Sequence, residues 1–263
     1  MFLLVGLVGF FCYWKYFENK KHHFSVVFFA VGQGDSALIN FSNGQKMLVD
    51  CGPNNMVLSK LGRWLPFYDR TIDYLVVSHP DLDHYGGCID VVRRYNVKNI
   101  IENGETKQDD YWQTWEETKK NKATQSIIIN SEKQFNFGVE RINFLFPTNT
   151  LQLEGNNRSL VFNLHSNSFR VLFAGDAEYE LEKSLITSYP ANILRANYLK
   201  IGHHGSDSST SDEWLEVVRP NIAIISVGRN NFGHPSLRVV RKLERNGVDK
   251  WRTDQKGDII IDR

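Results

Sequence analysis

The chain is a succession of short apolar runs separated by turn-forming residues. Its first part predicts three strands in hairpin order, because GQGD and SNGQ link three such runs: FSVVFFAV (24–31), SALINF (36–41) and KMLVD (46–50). A helix-like stretch near 56–65 then leads to the strand IDYLVVS (72–78). A polar loop follows this strand, and a helical pattern from Gly87 to Tyr95 completes a strand–loop–helix unit.

The middle of the chain predicts one helix and four further strands. The segment 109–122 begins acidic and ends basic, as the helix dipole favours, and it carries Trp112 and Trp115 three positions apart. We interpret it as an amphipathic helix that buries these two rings, with a base-stacking surface as the alternative. The next predicted strands are SIIIN (126–130), INFLF (142–146), SLVFNL (159–164) and FRVLFAG (169–175).

Helices and strands alternate in the last part of the chain. The predicted helices are EYELEKSLI from 178, a helix that Thr210 opens with Glu213 as a capping box, and SLRVVRKLERNG from 236. The predicted strands are YLKIG (198–202), NIAIISVG (221–228) and segments near 250 and at 258–262. This order predicts an α/β fold in layers, with two packed sheets and helices covering their outer faces.

The N-terminal residues form an uncharged apolar run, Phe2–Trp14, which several lysines follow. The run is shorter than the roughly 20 apolar residues that cross a bilayer, and it lacks the features of a secretory signal. We interpret 1–21 as a membrane-anchor-like segment, or as the last helix of a longer membrane protein, and 22–263 as one folded domain. The alternative is an apolar element that packs on the domain.

Charge and cysteine content narrow the function classes. Lys and Arg number 31 against 30 Asp and Glu, a net charge of +1, so a polyanionic substrate must be recognised locally. The three cysteines, Cys12, Cys51 and Cys88, are an odd number without CxxC spacing. We therefore expect apolar packing residues, and neither a disulfide framework nor a thiolate zinc site.

Four polar clusters each follow an apolar strand, where a rigid sheet holds loops that build sites. They are Asp50 after KMLV, HPDLDH at 79–84, Asp176 after VLFAG, and HHGS at 203–206. Each alone has a simpler explanation as a turn or a helix cap. Their joint occurrence indicates a metal site, because carboxylate and imidazole are the ligands that divalent cations prefer.

The HPDLDH loop could serve two cations. Extended spacing places His79 and Asp81 on one side, whereas the adjacent Asp83 and His84 must point elsewhere, so one loop offers two ligand pairs. A carboxylate from another strand end, such as Asp176, could bridge both ions. The alternative is a polar turn that caps the following helix.

A run of eight motifs makes this interpretation specific. The motifs are VGQGDS (31–36), VDCG (49–52), SHPDLDHYGG (78–87), NNRSLVF (156–162), FAGDAE (173–178), LKIGHHGS (199–206), SVGRNNFGHP (226–235) and RTDQKGDI (252–259). Over roughly residues 24–262 the chain resembles the metallo-β-lactamase fold, and more closely the C-terminal domain of the ComEC/Rec2 DNA-uptake proteins. The resemblance implies an αββα sandwich of two mixed β-sheets flanked by helices, with the metal site at the sheet edges.

The same resemblance implies a ligand set. Its metal positions are His79, Asp81, Asp83, His84, Asp176 and one of His203 and His204, with Asp50 as a supporting carboxylate. Asp81 stands where the wider fold has a second histidine, and Asn157 and Ser159 stand near its missing third histidine. The first of two sites is therefore rich in oxygen, which favours Mn²⁺ or Mg²⁺ and leaves Zn²⁺ as an alternative.

The resemblance also implies a function. We expect a nuclease that uses two divalent ions and a bridging water to cut DNA, with single-stranded DNA as the expected substrate and no nucleotide cofactor. Asp83 and His234 are the expected catalytic residues, and further residues would support the site or line the substrate groove: Gln33, Asp35, Asp50, Asn157, Ser159, Ser206 and Asn230. By resemblance the domain is membrane-associated, through its N-terminal segment or an attached channel domain, and extracytoplasmic. The alternatives are a membrane-tethered hydrolase of small phosphodiesters or esters, and a non-enzymatic metal-binding module.

Overall fold

The computed structural model describes residues 23–122, 124–147 and 153–262. The apolar run with its flanking lysines, and Cys12, lie outside the described residues, so the division into 1–21 and 22–263 stays a prediction. Within the described ranges no helix is both long enough and apolar enough to cross a bilayer.

Two mixed sheets form the centre of the fold, and each contains seven strands within the described ranges. The first sheet has the order β14-β1-β2-β3-β4-β5-β6. Its strands are β1 (Ser25–Phe28), β2 (Ala37–Asn40), β3 (Lys46–Val49), β4 (Thr71–Val76), β5 (Asn96–Glu102), β6 (Gln125–Ile128) and β14 (Ile259–Asp262). Strands β3 to β6 are parallel, so their carboxyl ends share one edge, which we call the site end.

The second sheet has the order β13-β12-β11-β10-β9-β8-β7. Its strands are β7 (Lys133–Phe137), β8 (Glu140–Phe146), β9 (Val161–His165), β10 (Arg170–Phe173), β11 (Tyr198–Lys200), β12 (Ile222–Ile225) and β13 (Asp249–Arg252). Strands β10 to β13 are parallel. The loops that follow β10 and β11 contact the loops that follow β3 and β4 at the site end.

Helices cover both outer faces. They are α1 (Met56–Trp64), α2 (Leu82–Tyr85), α3 (Cys88–Arg94) and α4 (Asp110–Lys122) beside the first sheet, and α5 (Tyr179–Ser188), α6 (Ala191–Leu194), α7 (Asp212–Val218), α8 (Leu237–Arg245) and α9 (Thr253–Lys256) from the later part of the chain. One apolar cluster lies between the sheets, where Phe28 stacks on Phe173, and one lies under each helical layer. This arrangement confirms the predicted αββα sandwich.

The predicted elements need correction at two strands and at the start of one helix. Strands β5 and β7 were not predicted, because polar residues interrupt NVKNIIE and KQFNF. Thr210 is not the cap of α7: its N–H donates to Glu182 Oε1 at 2.5 Å, and Ser211 caps the helix by accepting from the Trp214 N–H at 3.1 Å. The helix therefore begins one residue later than the capping box predicts.

The cysteine prediction is also wrong, because Cys51 and Cys88 form a disulfide with a Cα–Cα distance of 5.2 Å. Cys51 follows β3, and its N–H donates to the carbonyl of His84 at 2.7 Å. The segment after β4 thus folds back and contacts the end of β3. This contact places Cys88, the first residue of α3, beside Cys51. Only this tertiary return, and no spacing in the sequence, makes the two sulfurs neighbours.

Candidate metal centre

A buried carboxylate at the end of β3 organises the site. Asp50 accepts the Ser78 N–H at 2.8 Å on one oxygen and the Ser78 hydroxyl at 2.7 Å on the other. The latter oxygen also lies 2.9 Å from Nδ1 of His84. The carboxylate thereby accepts the Nδ1 proton of His84 and leaves Nε2 directed away from Asp50.

Three ligand atoms converge beyond Asp50 without hydrogen-bond partners among the described residues. They are Nε2 of His79, Nε2 of His84 and Oδ1 of Asp176, and all three are buried. Nε2 of His84 lies 3.3 Å from Oδ1 of Asp176, and this group of three residues offers ligand atoms within 4.8 Å of one another. Buried polar atoms are rarely left unpaired, so their convergence fits a divalent cation held by these residues.

A second ligand group adjoins the first. Nε2 of His204 lies 3.1 Å from Oδ2 of Asp83 and 3.5 Å from Oδ2 of Asp176, and Nδ1 lies 2.9 Å from the carbonyl of Ser226. His84, Asp83 and His204 form the second group with ligand atoms within 4.8 Å. The two oxygens of Asp176 therefore face different histidines, as the bridging position requires.

The structure brings His204, and not His203, into this cluster. Both residues have positive φ, 46° for His203 and 52° for His204, in the 3₁₀ turn Gly202–Gly205. This conformation directs the two side chains apart. Nδ1 of His203 lies 2.9 Å from Oε1 of Glu178, and a quarter of its side chain is exposed beside the site.

A buried lysine lies under the second group. Lys200, on β11, forms an ion pair with Oδ2 of Asp35, donates to the carbonyl of Gly175 at 3.2 Å and lies 3.9 Å from Oδ1 of Asp176. The other oxygen of Asp35 lies 3.3 Å from Nδ1 of His204. Asp35 therefore connects Lys200 to His204. The sequence reasoning missed Lys200, although a single charge inside the strand YLKIG was an available signal.

Opposite charges in this cluster shift one another's pKa. Burial lowers the pKa of His204, but Asp176, Asp35 and Asp83 outweigh it and raise that pKa to about 10. Burial raises the pKa of Asp176, but His84 and His204 hold it well below its usual range. For Asp35, Lys200 and His204 outweigh burial and lower its pKa to about 2. The carboxylates thus favour positive charge at this position, as the site of a divalent cation requires.

Asp81 lies at the rim, outside both ligand groups. One of its oxygens forms an ion pair with Lys107, and the other lies 3.5 Å from Nε2 of His79. The polar contact with His79 is the main cause that lowers the pKa of Asp81, against the effect of burial. Among the residues of the first ligand group, Asp81 therefore contacts His79.

Asn157 and Ser159 position other parts of the site. Oδ1 of Asn157 accepts the Glu178 N–H at 3.0 Å and the Leu181 N–H at 3.4 Å, so it holds the start of α5. Oγ of Ser159 accepts the Asp176 N–H at 3.0 Å. Both side chains support the loop that presents Asp176.

Two residues of the expected substrate groove hold loops together. Oε1 of Gln33 accepts the Gly228 N–H at 3.3 Å, and this contact joins the loop after β1 to the loop after β12. Nδ2 of Asn230 donates to the carbonyls of Gly228 at 2.9 Å and His234 at 2.8 Å. The amide of Asn230 therefore stabilises its own turn.

His234 and Ser206 lie at the mouth of the site. The ring of His234 is 5.3 Å from that of His203, and its Nδ1 is buried without a hydrogen-bond partner among the described residues. Oγ of Ser206 contacts Oγ of Ser208 at 2.9 Å, and Ser208 donates to Glu178 at 2.7 Å. Glu178, which the sequence reasoning did not single out, thus connects Ser208 to His203.

Comparison with known proteins identifies the family of this chain. The family model of the metallo-beta-lactamase superfamily matches residues 30–229. "ComE operon protein 3" of Bacillus subtilis is 30% identical over 254 residues, which cover 87% of this chain and 32% of that protein. "Recombination protein 2" of Haemophilus influenzae is 29% identical over 88% of this chain and 28% of its own length. The chain thus spans about a third of the length of these curated relatives.

Solved structures share the fold at low identity. The metallo-beta-lactamase fold protein YhfI from Bacillus subtilis has a TM-score of 0.62 and 13% identity, covering 91% of this chain and 100% of that one. Zn²⁺-bound PqqB from Methylobacterium extorquens has a TM-score of 0.60 and 10% identity over the same shares of both chains. Because the family model covers well over half of the residues, the chain belongs to the metallo-beta-lactamase superfamily.

Proposed function

We propose that this chain is a metal-dependent phosphodiesterase that cleaves DNA during its uptake. The observation that carries the proposal is the placement of Asp176, whose two oxygens face His84 and His204 in adjacent ligand groups. A carboxylate in that position suits two neighbouring cations, and two-cation sites are suited to phosphodiester hydrolysis.

The ligand residues form two groups, each of which would hold one cation. His79, His84 and Asp176 would hold one cation, and Asp83, His204 and the second oxygen of Asp176 would hold the other. Divalent cations bound there neutralise charge on a phosphodiester and activate a water for attack. Oxygen and imidazole ligands without thiolate favour Mn²⁺ or Mg²⁺, with Zn²⁺ as the alternative.

Residues around the ligands fix their orientation. Asp50 holds the Nδ1 proton of His84, and the carbonyl of Ser226 holds that of His204, so both Nε2 atoms point to the centre. Glu178 accepts from Nδ1 of His203 at 2.9 Å, and Nε2 of that ring lies 3.4 Å from Nδ2 of Asn156.

The imidazoles at the mouth would bind the substrate. Burial, followed by His203 and His204, lowers the pKa of His234, so its ring is neutral near pH 7. A neutral ring in this place can donate a hydrogen bond to a phosphate oxygen. We propose that it also accepts the proton that the attacking water loses and passes that proton to the leaving oxygen.

DNA as the substrate and an extracytoplasmic location complete the proposal. The relatives bear the names of competence and recombination proteins, "Competence protein ComA" of Neisseria gonorrhoeae among them at 28% identity. The Cys51–Cys88 disulfide supports an oxidising compartment. The N-terminal apolar run would tether the domain to a membrane.

A cleavage assay tests the proposed function. The purified chain would be stripped of metal and incubated with single-stranded DNA, double-stranded DNA or bis(p-nitrophenyl) phosphate, with Mn²⁺, Mg²⁺, Zn²⁺ or chelator. We expect metal-dependent DNA cleavage that D83N abolishes and D73N retains, because Asp73 pairs with Lys98 and lies outside the ligand groups. Hydrolysis of the small diester without DNA cleavage would contradict the DNA substrate, and metal binding without any turnover would contradict an enzyme.

A further inference from the structure

A basic hollow lies at the end of the sandwich opposite the metal centre. Four cationic residues, Arg70, Arg93, Arg94 and Lys122, line a cavity of about 330 Å³ together with Tyr95. Arg70 precedes β4, Arg93 and Arg94 end α3, and Lys122 ends α4. The hollow therefore surrounds the amino ends of β4 and β5, away from the carboxyl ends that form the site.

The four charges of the basic hollow have no acidic partner within 4.0 Å among the described residues, unlike the nearby Lys46 and Lys98. Lys122 donates to the carbonyl of Arg93 at 3.2 Å, and the guanidinium of Arg70 lies 5.5 Å from the centre of the Tyr95 ring. Basic residues at the ends of α3 and α4 complement the helix dipoles. Arg70 precedes β4 and ends no helix, so the helix dipoles do not explain its position. An anion inside the hollow would lie near all four positive charges.

Two exposed aromatic rings project from the same end. Phe67 is 86% exposed and Tyr68 is 69% exposed, with their ring centres 5.3 Å apart in an edge-to-face pair. They lie in the loop between α1 and β4, three residues or fewer from Arg70. An aromatic pair beside unpaired arginines is the composition found at the boundary between membrane and water.

The described part of the chain begins at this end, at His23 before β1. The hairpins β1–β2 and β2–β3 each reverse the chain direction, so β1 runs parallel to β3 and β4. The amino end of β1 therefore lies at the same end of the sandwich as the basic hollow. Strands β1 and β4 are three strand spacings apart in the sheet order, about 14 Å. Residues 15–22 can separate Trp14 from His23 by at most about 32 Å.

We infer that this end of the sandwich docks on a membrane surface, with Phe67 and Tyr68 at the boundary and the phosphate of an anionic lipid headgroup in the basic hollow. The metal centre then faces away from the membrane, where a DNA strand can reach it. The inference concerns the orientation of the domain and does not depend on DNA cleavage.

Fluorescence quenching by brominated phospholipids tests the orientation in the full chain. F67W would place an indole at the proposed contact, and F232W would place one beside the metal centre, where Phe232 is 75% exposed and its ring lies 5.8 Å from that of His234. We expect vesicles of phosphatidylcholine and phosphatidylglycerol with brominated chains to quench the added emission of F67W and not that of F232W. Quenching of F232W alone, of both added indoles equally or of neither overturns the inference.

Charge variants test the basic hollow separately. The variant R70Q/R93Q/R94Q/K122Q is compared with K183Q/R229Q/R238Q/R241Q, which removes the same charge from exposed residues elsewhere. Each cation near an anionic surface contributes about fivefold, so we expect the first variant to reduce the preference for phosphatidylglycerol over phosphatidylcholine vesicles at least about tenfold. The second variant should keep it. Equal losses, an unchanged preference, or a loss confined to binding of DNA overturns the lipid assignment.

Discussion

Nδ1 of His84 lies 2.9 Å from Oδ2 of Asp50, a carboxylate that Ser78 holds in place through both its N–H and its hydroxyl. The contact leaves Nε2 of His84 pointing at Asp176, 3.3 Å away. Asp50 thus acts on a cation through the histidine that it orients. Residues of this kind change metal affinity without touching the metal.

Replacement of Asp50 should therefore weaken metal binding. We expect D50N to lower the affinity for Mn²⁺ by about 10- to 100-fold, because the amide no longer fixes the proton of His84 on Nδ1. Competition with a metallochromic indicator measures the affinity. D73N is the matched control, since Asp73 is a buried acid of β4 bonded to Lys98 and to the N–H of Lys46. An equal loss in D73N would contradict the proposed role of Asp50.

The two adjacent histidines should behave differently. His204 lies 3.1 Å from Asp83 and 3.5 Å from Asp176, whereas His203 pairs with Glu178. We expect H204A to lose about one bound metal ion per chain in elemental analysis and H203A to retain the full content. H203A should still slow DNA cleavage, because His203 lies at the mouth. Retention of both metal ions by H204A would assign the ligand role to another residue.

Metal binding should release protons. The pKa of His204 is raised to about 10, so the ring is charged at pH 7 in the metal-free protein and must lose that proton to bind a cation. Affinity should therefore rise as the pH increases from 6 to 9. Calorimetry of Mn²⁺ binding in buffers of different ionisation enthalpy counts the protons. We expect about one proton fewer in H204Q, and a binding enthalpy that is independent of buffer would contradict the prediction.

Much of the fold and part of the site follow from local patterns. Apolar runs bounded by turn residues predicted most strands, and the clusters that contain Asp50, Asp83 and Asp176 were predicted because each follows such a run. These clusters converge because β3 is parallel to β4 and β10 is parallel to β11. The carboxyl ends of parallel strands share one edge of a sheet, so the convergence was predictable from the position of each cluster after a strand.

Other parts of the site depend on contacts that no local pattern carries. The choice between His203 and His204 is set by positive φ angles in a turn, and Lys200 becomes part of the site only because β11 brings it beside Asp35. The disulfide partner of Cys51 lies 37 residues away and becomes its neighbour when the loop after β4 folds back. Three-dimensional proximity, and not residue type, decides each case.

Asp258 should stabilise the fold in a pH-dependent way. Burial raises its pKa, but Lys60 at 2.6 Å, the Ala30 N–H at 2.9 Å and the Trp64 indole at 3.1 Å outweigh burial and lower it. A carboxyl whose folded pKa is lowered stabilises the protein above its unfolded pKa near 3.9, and this contribution is lost as the pH falls through the folded value.

We therefore expect D258N to reduce the free energy of unfolding by about 1–3 kcal/mol at pH 7, and the difference from the natural chain to shrink between pH 5 and pH 2. Urea unfolding at several pH values measures it. D254N removes an exposed pair with Arg252 and should change stability by less than about 1 kcal/mol. A constant difference across the pH range would exclude the ionised carboxylate as its cause.

Loss of the Cys51–Cys88 disulfide should lower both the stability of the fold and the metal affinity of the loop that carries Asp83 and His84. The bond closes a loop with a sequence separation of 37, so chain entropy predicts a loss of about 4 kcal/mol in the free energy of unfolding. Cys51 also lies beside Asp50, and Cys88 begins α3 directly after the loop that carries Asp83 and His84. C51A/C88A should thus unfold at lower urea concentration and bind Mn²⁺ more weakly, whereas C12A should match the natural chain in both measurements. Equal stability of C51A/C88A and C12A in the absence of reductant would show that the two sulfurs are not joined in the protein.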